Sequence, residues 1–321
     1  MRYLWIALCA LLLGQAIVGV EAGEKKKWRV GFSQCNLGEP WRAAMYEDLK
    51  REVAKYPDDI ELIHKDAQLD TARQQAQLRE FLNDYEAGNI DCILVSPKES
   101  APFTPIVAEI YKSGCPVLVI DREILTDDYT CFIGGDNVVI GRAAGEWLVA
   151  KFGGKRAQAV ELTGLMTVSG AQERNKGFVE GIKGSDIEII FKVDANWMEP
   201  QARKEMESAL SRFDKIDFVY AHNDPMAHGA YLAAKAAGRE KDIVFVGVDG
   251  LQHEGVAYVK QGILDASFLY PSGMDIAIEQ VMKLKRGENI PKRIMLATKV
   301  FDAETPDGKD IGEPVVKWTL D

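Results

Sequence analysis

The sequence has few cysteines and no excess of positive charge. Its 321 residues include five cysteines, and no two of them form a Cys-x-x-Cys pair. Neither a zinc knot nor a redox pair is therefore indicated. Lysine and arginine number 39 against 49 aspartates and glutamates, a formal net charge of −10. This acidic balance argues against nucleic acid and anionic membrane surfaces as partners.

Nucleotide-binding loops and catalytic groupings are also missing. Gly134-Gly135-Asp136 lacks the spacing of a GxGxxG loop, and no GxxxxGK motif occurs. Histidine is scarce, with four residues, of which His222 and His228 flank Asp224. Histidines at a helix start pack or cap more often than they bind zinc. Because no nucleophile or acid–base pair stands out, the sequence predicts no enzyme, no metal site and no cofactor.

Residues 1–22 have the features of an export signal. Arg2 precedes an apolar run over residues 3–13, and Val20-Glu21-Ala22 fits a cleavage site before Gly23. The run is shorter than the roughly 20 apolar residues that span a bilayer, and Gln15 interrupts it, so cleavage is favoured over a membrane anchor. We expect a mature protein that is exported to the periplasm.

Export would permit disulfides among the remaining cysteines. Cys92 and Cys115 each begin a buried-looking strand and could be neighbours. Buried free thiols are the simpler expectation, and the sequence leaves the state of Cys92, Cys115 and Cys131 open.

Short, continuously apolar runs alternate with amphipathic stretches over most of the chain. Such runs suit parallel strands covered on both faces, and the stretches between them suit helices. The alternation predicts an α/β fold with doubly wound sheets. About ten strand–helix units exceed one typical core. We therefore expect two Rossmann-like lobes: residues 28–134 with 267–297, and residues 137–266 with 298–321.

Polar and aromatic side chains follow the predicted strands, at the edge where open α/β sheets bind ligands. They include Asp121-Arg122, Asp136-Asn137, Gln172-Glu173-Arg174, His222-Asn223-Asp224, Asp249-Gly250, Trp41 and Trp197. Carboxylates, amides and guanidinium groups together satisfy sugar hydroxyls, which both donate and accept, and an indole ring can cover the apolar face of a sugar. Each Asp or Asn could instead only cap the next helix. By itself the pattern indicates a cleft for a polar ligand.

Several short motifs, in a fixed order between residues 28 and 300, carry a resemblance to a known family. They are Val30-Gly31-Phe32-Ser33-Gln34 with Trp41-Arg42-Ala43-Ala44, Ile93-Leu94-Val95-Ser96-Pro97, residues 116–122, Asp136-Asn137 with Gly141, residues 173–178, residues 220–226, and Gly247-Val248-Asp249-Gly250. The chain resembles the periplasmic sugar-binding proteins of bacterial ABC importers, in the ribose- and galactose-binding class. The first pair of motifs looks most like the galactofuranose-binding branch.

The resemblance implies a type I periplasmic binding protein, in which two lobes joined by three crossing segments close on one monosaccharide. The sugar would be a pentose or hexose, with the furanose form among the candidates. The protein would be a monomer that delivers its sugar to a membrane permease of an ABC importer. The ligand contacts would be Ser33, Trp41, Arg42, Asp66, Gln68, Arg122, Asp136, Asn137, Arg174, Trp197, Asn223, Asp249 and Tyr270.

The chain departs from the family pattern near Leu269, where the family usually has Gln or Glu and Tyr270 would supply the polar contact. The tail after Phe301 is also longer than usual. Two other roles of the same fold remain. A lac-repressor-like regulator would carry a DNA-binding segment where this chain has the export signal. A periplasmic sensor would present its closed form to a membrane histidine kinase, and the sequence does not separate this role from transport.

Overall fold

A computed structural model describes residues 26–319, so the predicted export signal, with Cys9, lies outside the described residues. The first five strands form a parallel array in the order β2-β1-β3-β4-β5. The elements of this half are β1 (Trp28–Gln34), α1 (Pro40–Val53), β2 (Ile60–Asp66), α2 (Thr71–Glu86), β3 (Cys92–Ser96), α3 (Ser100–Lys112), β4 (Val117–Ile120) and β5 (Cys131–Gly135).

The middle of the chain repeats this arrangement in a second sheet, ordered β7-β6-β8-β9-β10. Its elements are α4 (Asn137–Phe152), β6 (Ala157–Thr163), α5 (Ser169–Gly181), β7 (Ile187–Asp194), α6 (Glu199–Arg212), β8 (Phe218–Ala221), α7 (Asp224–Ala236), β9 (Val244–Asp249), α8 (Gly255–Lys260) and β10 (Ala266–Leu269). The two lobes of doubly wound α/β structure predicted from the alternating pattern are confirmed.

The C-terminal part of the described chain completes both sheets. It holds α9 (Met274–Lys285), β11 (Arg293–Leu296), β12 (Thr298–Asp302), β13 (Lys309–Ile311) and β14 (Val315–Lys317). Helix α9 packs on α1 of the first lobe. Strand β11 pairs in parallel with β5, and β14 pairs antiparallel with β11. Strands β12 and β13 extend the second sheet beyond β10.

The course of the chain between the two sheets differs at two places from the lobe boundaries expected from the sequence. Strand β10 lies in the second sheet, between β9 and β12, although residues from 267 onward were expected in the first lobe. An apolar run does not reveal which sheet it joins, and a short connection from β9 favours the neighbouring position. The tail was expected in the second lobe, yet β14 returns to the first sheet.

The chain consequently passes between the two sheets four times within residues 26–319, instead of the three times that the resemblance implied. These passages lie between β5 and β6, β10 and β11, β11 and β12, and β13 and β14.

The central strands are buried on both faces, as continuous apolar runs require. All residues of β3, β4, β5 and β8 are buried. Four cysteines of the described chain are buried free thiols, which agrees with the simpler expectation from the sequence: Cys35, Cys92, Cys115 and Cys131. Between residues 26 and 319, no helix combines the length and the apolar character that a membrane span requires.

Candidate ligand-binding cleft

The carboxyl ends of the two sheets face each other across a narrow cleft. Its empty volume is about 370 Å³, part of it open to solvent. Both lobes and the β10–α9 connection contribute to the lining, which consists of Glu39, Trp41, Arg42, Asp121, Arg122, Asn137, Gly170, Arg174, Trp197, Asn223, Asp249 and Tyr270.

A buried ion pair forms the wall on the side of the first lobe. The Arg42 Nη2 lies 2.7 Å from Asp121 Oδ2, and its Nη1 donates to Ser96 Oγ at 2.8 Å. Arg42 is only 2% exposed. Burial alone would raise the pKa of Asp121, but the guanidinium groups of Arg42 and Arg122 outweigh burial and hold that pKa below its ordinary value. Both members of the pair therefore stay charged.

Two aromatic side chains in contact, with their rings tilted by 44°, lie beside this pair. The ring centroids of Trp41 and Tyr270 are 5.0 Å apart, and Trp41 Nε1 donates to the Tyr270 carbonyl at 2.8 Å. The Tyr270 hydroxyl donates to the Asp121 carbonyl at 3.1 Å. Tyr270, at the passage between the sheets, is thus anchored to the first-lobe wall by both its backbone and its side chain.

Arg174 is the central cation of the second-lobe wall. Its Nε donates to Asn137 Oδ1 at 2.9 Å, its Nη1 donates to the His222 carbonyl, and its Nη1 lies 3.9 Å from Asp249 Oδ1. The guanidinium also lies over the Tyr270 ring, 4.6 Å from its centroid. Arg174 is 4% exposed, and these contacts fix the position of its guanidinium group at the cleft.

Close packing of α4 on α5 brings Arg174 beside Asn137. A Cβ added to Gly141 would lie 2.1 Å from the Arg174 carbonyl oxygen, and one added to Gly177 would lie 2.1 Å from the Val138 carbonyl oxygen. Only glycine permits backbones to approach this closely. The spacing of these glycines therefore fixes the geometry of the second-lobe wall.

Trp197 reaches into the cleft from the loop after β7. Its ring is 8% exposed and lies 5.4 Å from the Arg174 guanidinium and 5.9 Å from that of Arg122. The contact with Arg122 crosses from one lobe to the other. The backbone carbonyl of Trp197 accepts a hydrogen bond of 3.1 Å from Asn223 Nδ2.

Three lining residues other than glycine have positive φ angles: Asp121 at 71°, Trp197 at 65° and Asp249 at 125°. Such conformations cost of order 1–3 kcal/mol each and are typical of functional sites. Left-handed turns here direct side chains from strand ends into the cleft.

Asp249 carries the most perturbed carboxyl group of the cleft. Burial raises its pKa well above the ordinary value, and Arg174 opposes that increase. Its carboxylate depends on Arg174 for compensation of its charge, because a buried carboxylate without a cation is strongly disfavoured.

Two buried N–H groups in the cleft lack hydrogen-bond partners among the residues that the structure describes. They are Arg42 Nε and Trp197 Nε1, the first of which lies 3.8 Å from Glu39 Oε2. Buried donors are nearly always satisfied in native proteins, so exceptions need an explanation. Two donors in one cleft are therefore available to a polar ligand.

Nine of the residues predicted from the sequence line the cleft: Trp41, Arg42, Arg122, Asn137, Arg174, Trp197, Asn223, Asp249 and Tyr270. Asn223 also caps α7, since its Oδ1 accepts from the Met226 N–H at 3.0 Å. The helix-capping alternative and a position in the cleft lining therefore coexist in this residue.

Four predicted contacts lie outside the cleft lining. Ser33 is buried and donates to Gln77 Oε1 at 3.0 Å. Asp66 accepts from the backbone N–H of Gln68, and the exposed Gln68 side chain bonds Arg73. Asp136 caps α4 through the Val139 N–H at 2.9 Å.

Glu39, Asp121 and Gly170 line the cleft but were not among the predicted contacts. Asp121 directly precedes Arg122 at the end of β4, and Glu39 directly precedes α1, so the strand-end pattern contained the signal for both. Gly170 follows no strand directly and had no comparable signal.

The histidines weighed as zinc ligands pair with different carboxylates. His222 Nε2 lies 3.1 Å from Glu161 Oε1 in the buried interior, and His228 Nδ1 lies 2.8 Å from Glu199 Oε2 near the surface. Within residues 26–319, no group of three or more His, Cys, Asp or Glu side chains converges for a metal ion.

Two α/β lobes with a polar and aromatic cleft between their sheet edges define the architecture of a type I periplasmic binding protein. The chain belongs to the periplasmic binding protein domain family, which matches residues 30–289. It is similar to the galactofuranose-binding protein of Escherichia coli, with 33% identity over 277 residues covering 83% of this chain and 85% of that protein.

Two further proteins extend the comparison. The ribose import binding protein of Bacillus subtilis is 27% identical over 297 residues, which cover 92% of this chain and 94% of that protein. The solved structure of the fructose-binding periplasmic domain of a hybrid two-component system has 39% identity and a TM-score of 0.82, covering 87% of this chain and 92% of that one. The resemblance to the ribose- and galactofuranose-binding class, inferred from the sequence motifs, is confirmed.

Proposed function

We propose that this protein is an exported receptor that captures one monosaccharide between its lobes, with furanose sugars as the first candidates. The observation that carries the proposal is the composition of the cleft. Arg42 and Trp197 offer N–H donors without partners among the described residues, Asp249 offers a carboxylate, and Trp41 and Tyr270 offer aromatic rings. Donors, acceptors and apolar faces are the three features that a sugar requires.

Galactofuranose binding in the Escherichia coli relative supports a furanose ligand. Discrimination between sugars would depend on the hydroxyl groups of the ligand, because a site that hydrogen-bonds a hydroxyl strongly rejects an analogue that lacks it. The charged walls would favour a neutral, hydroxyl-rich ligand. Asp121 and Asp249 each stand beside an arginine, so the charges of the site are balanced before any ligand enters.

The proposal assigns no chemical step to the cleft. In the described part of the chain, the lining contains no serine, threonine, cysteine, lysine or histidine. Hydrolysis of a glycoside uses two carboxyl groups in the roles of acid and nucleophile or base. Each of the three carboxyl groups in the described lining lies beside an arginine: Asp121 is held ionised by Arg42 and Arg122, Asp249 faces Arg174, and Glu39 Oε2 lies 3.8 Å from Arg42 Nε.

Closure of the lobes is the proposed means of capture. Contacts already join the two lobes at the cleft: Arg122 lies against the Trp197 ring, and the Glu123 N–H donates to Ser169 Oγ at 3.2 Å. A ligand that contacts both walls would stabilise this arrangement over an open one, because it binds the closed state more tightly. The closed form would then deliver its sugar to the permease of an ABC importer.

A thermal-shift screen of residues 23–321 against monosaccharides, including furanose-forming ones, tests the proposal. A sugar present at about 100 times its dissociation constant should add roughly 2.7 kcal/mol to the free energy of unfolding. Arg122→Ala removes one wall contact and should reduce the thermal shift, which would link the shift to this cleft. The absence of any shift, with protein freed of co-purified ligand, would contradict the assignment of a sugar.

Sensing is the second candidate role, favoured by the 39% identity to the fructose-binding domain of a hybrid two-component system. The import role is supported by the similarity to the ribose import binding protein. Deleting the gene in its source organism separates the two. Loss of uptake of the radiolabelled sugar is expected for import, whereas retained uptake with loss of sugar-induced transcription would identify a sensor.

A further inference from the structure

Asp224 lies directly behind the cleft, without being part of its lining. It is the first residue of α7, follows Asn223 and is fully buried. Its Oδ2 accepts the Gly250 N–H at 2.8 Å, and the Ser267 hydroxyl lies 2.7 Å from Oδ1 and 2.9 Å from Oδ2. One carboxylate therefore ties the start of α7 to the end of β9 and to β10.

Two glycines, Gly247 and Gly255, leave the space that this carboxylate occupies. A Cβ added to Gly247 in β9 would lie 2.2 Å from Asp224 Oδ1, and one added to Gly255 at the start of α8 would lie 1.9 Å from Asp224 Oδ2. Both distances are far inside van der Waals contact. The two glycines thus make the space that Asp224 occupies, and three elements converge on its side chain.

The turn held by Asp224 carries the carboxylate of Asp249 into the cleft. Asp249 has a φ of 125° and Gly250 a φ of 65°, and a residue with a side chain rarely adopts the first of these. Such a turn persists only where its surroundings fix it. The Gly250 amide is fixed by Asp224, while the Asp249 carbonyl accepts the Tyr270 N–H at 3.1 Å.

Asp224 and Asp249 also interact through charge. Burial raises the pKa of Asp224 to about 7 and raises that of Asp249 well above its ordinary value. Arg174 lowers both pKa values, and Asp224 adds to the increase for Asp249. This pair also interacts electrostatically with Glu39, Glu254 and Tyr258.

We propose that Asp224 is a positioning residue for ligand binding: its carboxylate fixes the Asp249–Gly250 turn, and the fixed turn holds the Asp249 carboxyl group where a ligand hydroxyl can bond it. The first half concerns the protein alone. The second half rests on the proposed function, because it concerns a ligand.

Hydrogen exchange of the Gly250 amide, followed by NMR in the ligand-free protein, tests the first half. Asp224→Ala removes the acceptor, so this amide should exchange at least about tenfold faster. Asp224→Asn keeps an amide oxygen for the same bond and should stay close to wild type. The control is Asp70→Ala, which removes a surface cap from α2 and should leave Gly250 unchanged. Unchanged protection of Gly250 in Asp224→Ala would overturn the positioning role.

Affinity for the sugar identified by the screen tests the second half. Asp224→Ala should bind that sugar at least about tenfold more weakly than wild type, because the freed turn no longer holds Asp249 in place. Asp224→Asn keeps an acceptor for the Gly250 N–H and should stay close to wild type. Wild-type affinity in Asp224→Ala would overturn the second half. If the wild-type protein binds no sugar, the proposed function fails, whereas the Gly250 exchange still decides the positioning role.

Discussion

Arg174→Ala is expected to weaken ligand binding roughly 100-fold or more, a loss of about 3 kcal/mol. The guanidinium of Arg174 compensates the buried Asp249 carboxylate, bonds Asn137 and lies between the rings of Trp197 and Tyr270. Its removal leaves a buried carboxylate without a cation and two aromatic rings without their polar partner. Isothermal titration calorimetry with the sugar from the screen measures the effect.

Two further variants make this result interpretable. Arg174→Lys keeps a positive charge but cannot reproduce the planar fork of donors, so its affinity should fall between wild type and Arg174→Ala. Arg142→Ala removes an arginine of α4 that pairs with Glu180 at the surface, and it should bind within about twofold of wild type. An Arg174→Ala protein with affinity equal to that of the Arg142→Ala control would show that Arg174 is not a ligand contact.

Asp121→Ala is expected to lower the free energy of unfolding by about 3 kcal/mol, because it removes the carboxylate bonded to the buried Arg42 and leaves Glu39, 3.8 Å from Arg42 Nε, to balance that charge. The loss is large beside the roughly 5–15 kcal/mol that stabilises typical proteins. Chemical denaturation of the ligand-free protein measures it. Asp310→Ala offers the same substitution in an exposed ion pair with Lys299 and should change stability by less than about 1 kcal/mol.

The pH dependence of this stabilisation follows from the depressed pKa of Asp121. Since that pKa is lower in the folded protein than its ordinary value of 3.8, the contribution is complete above the unfolded pKa and is lost as pH falls through the folded pKa. The difference between wild type and Asp121→Ala should therefore stay constant from about pH 5 to 8 and shrink only in stronger acid. A difference that disappears near neutral pH would contradict the role assigned to the Arg42–Asp121 pair.

Local pattern located three cleft-lining side chains at the ends of central strands. Asp249 ends β9, and Arg122 and Asn223 come shortly after β4 and β8. Their position depends only on where a strand ends, and the apolar runs mark that point in the sequence. Asp136, after the central strand β5, instead caps α4 and lies outside the lining.

Sheet order accounts for two of the four predicted residues that lie outside the cleft lining, and strand order is not a local property. Asp66 ends β2 and Gln68 follows it, and β2 is the outermost strand of the first sheet. Trp197 follows β7, the corresponding edge strand of the second sheet, and yet lines the cleft. Each of these two loops contains two successive left-handed residues, Gln68-Leu69 and Asn196-Trp197, so neither strand position nor local backbone distinguishes the residue that lines the cleft.

The return of the chain terminus to the first sheet has a consequence for the order of folding. The first five strands of that sheet are complete at Gly135, but β11 and β14, which continue the sheet beyond β5, come from residues 293–317. Until those residues are available, β5 is an open edge. The five parallel strands of the second sheet lie within one continuous stretch, residues 157–269, and such local pairing forms faster than pairing between distant segments. The second sheet also takes β12 and β13 from the C-terminal stretch, but β12 lies much closer in sequence to β10 than β11 does to β5. The edge of the first sheet therefore depends on the more distant pairing and is expected to form last.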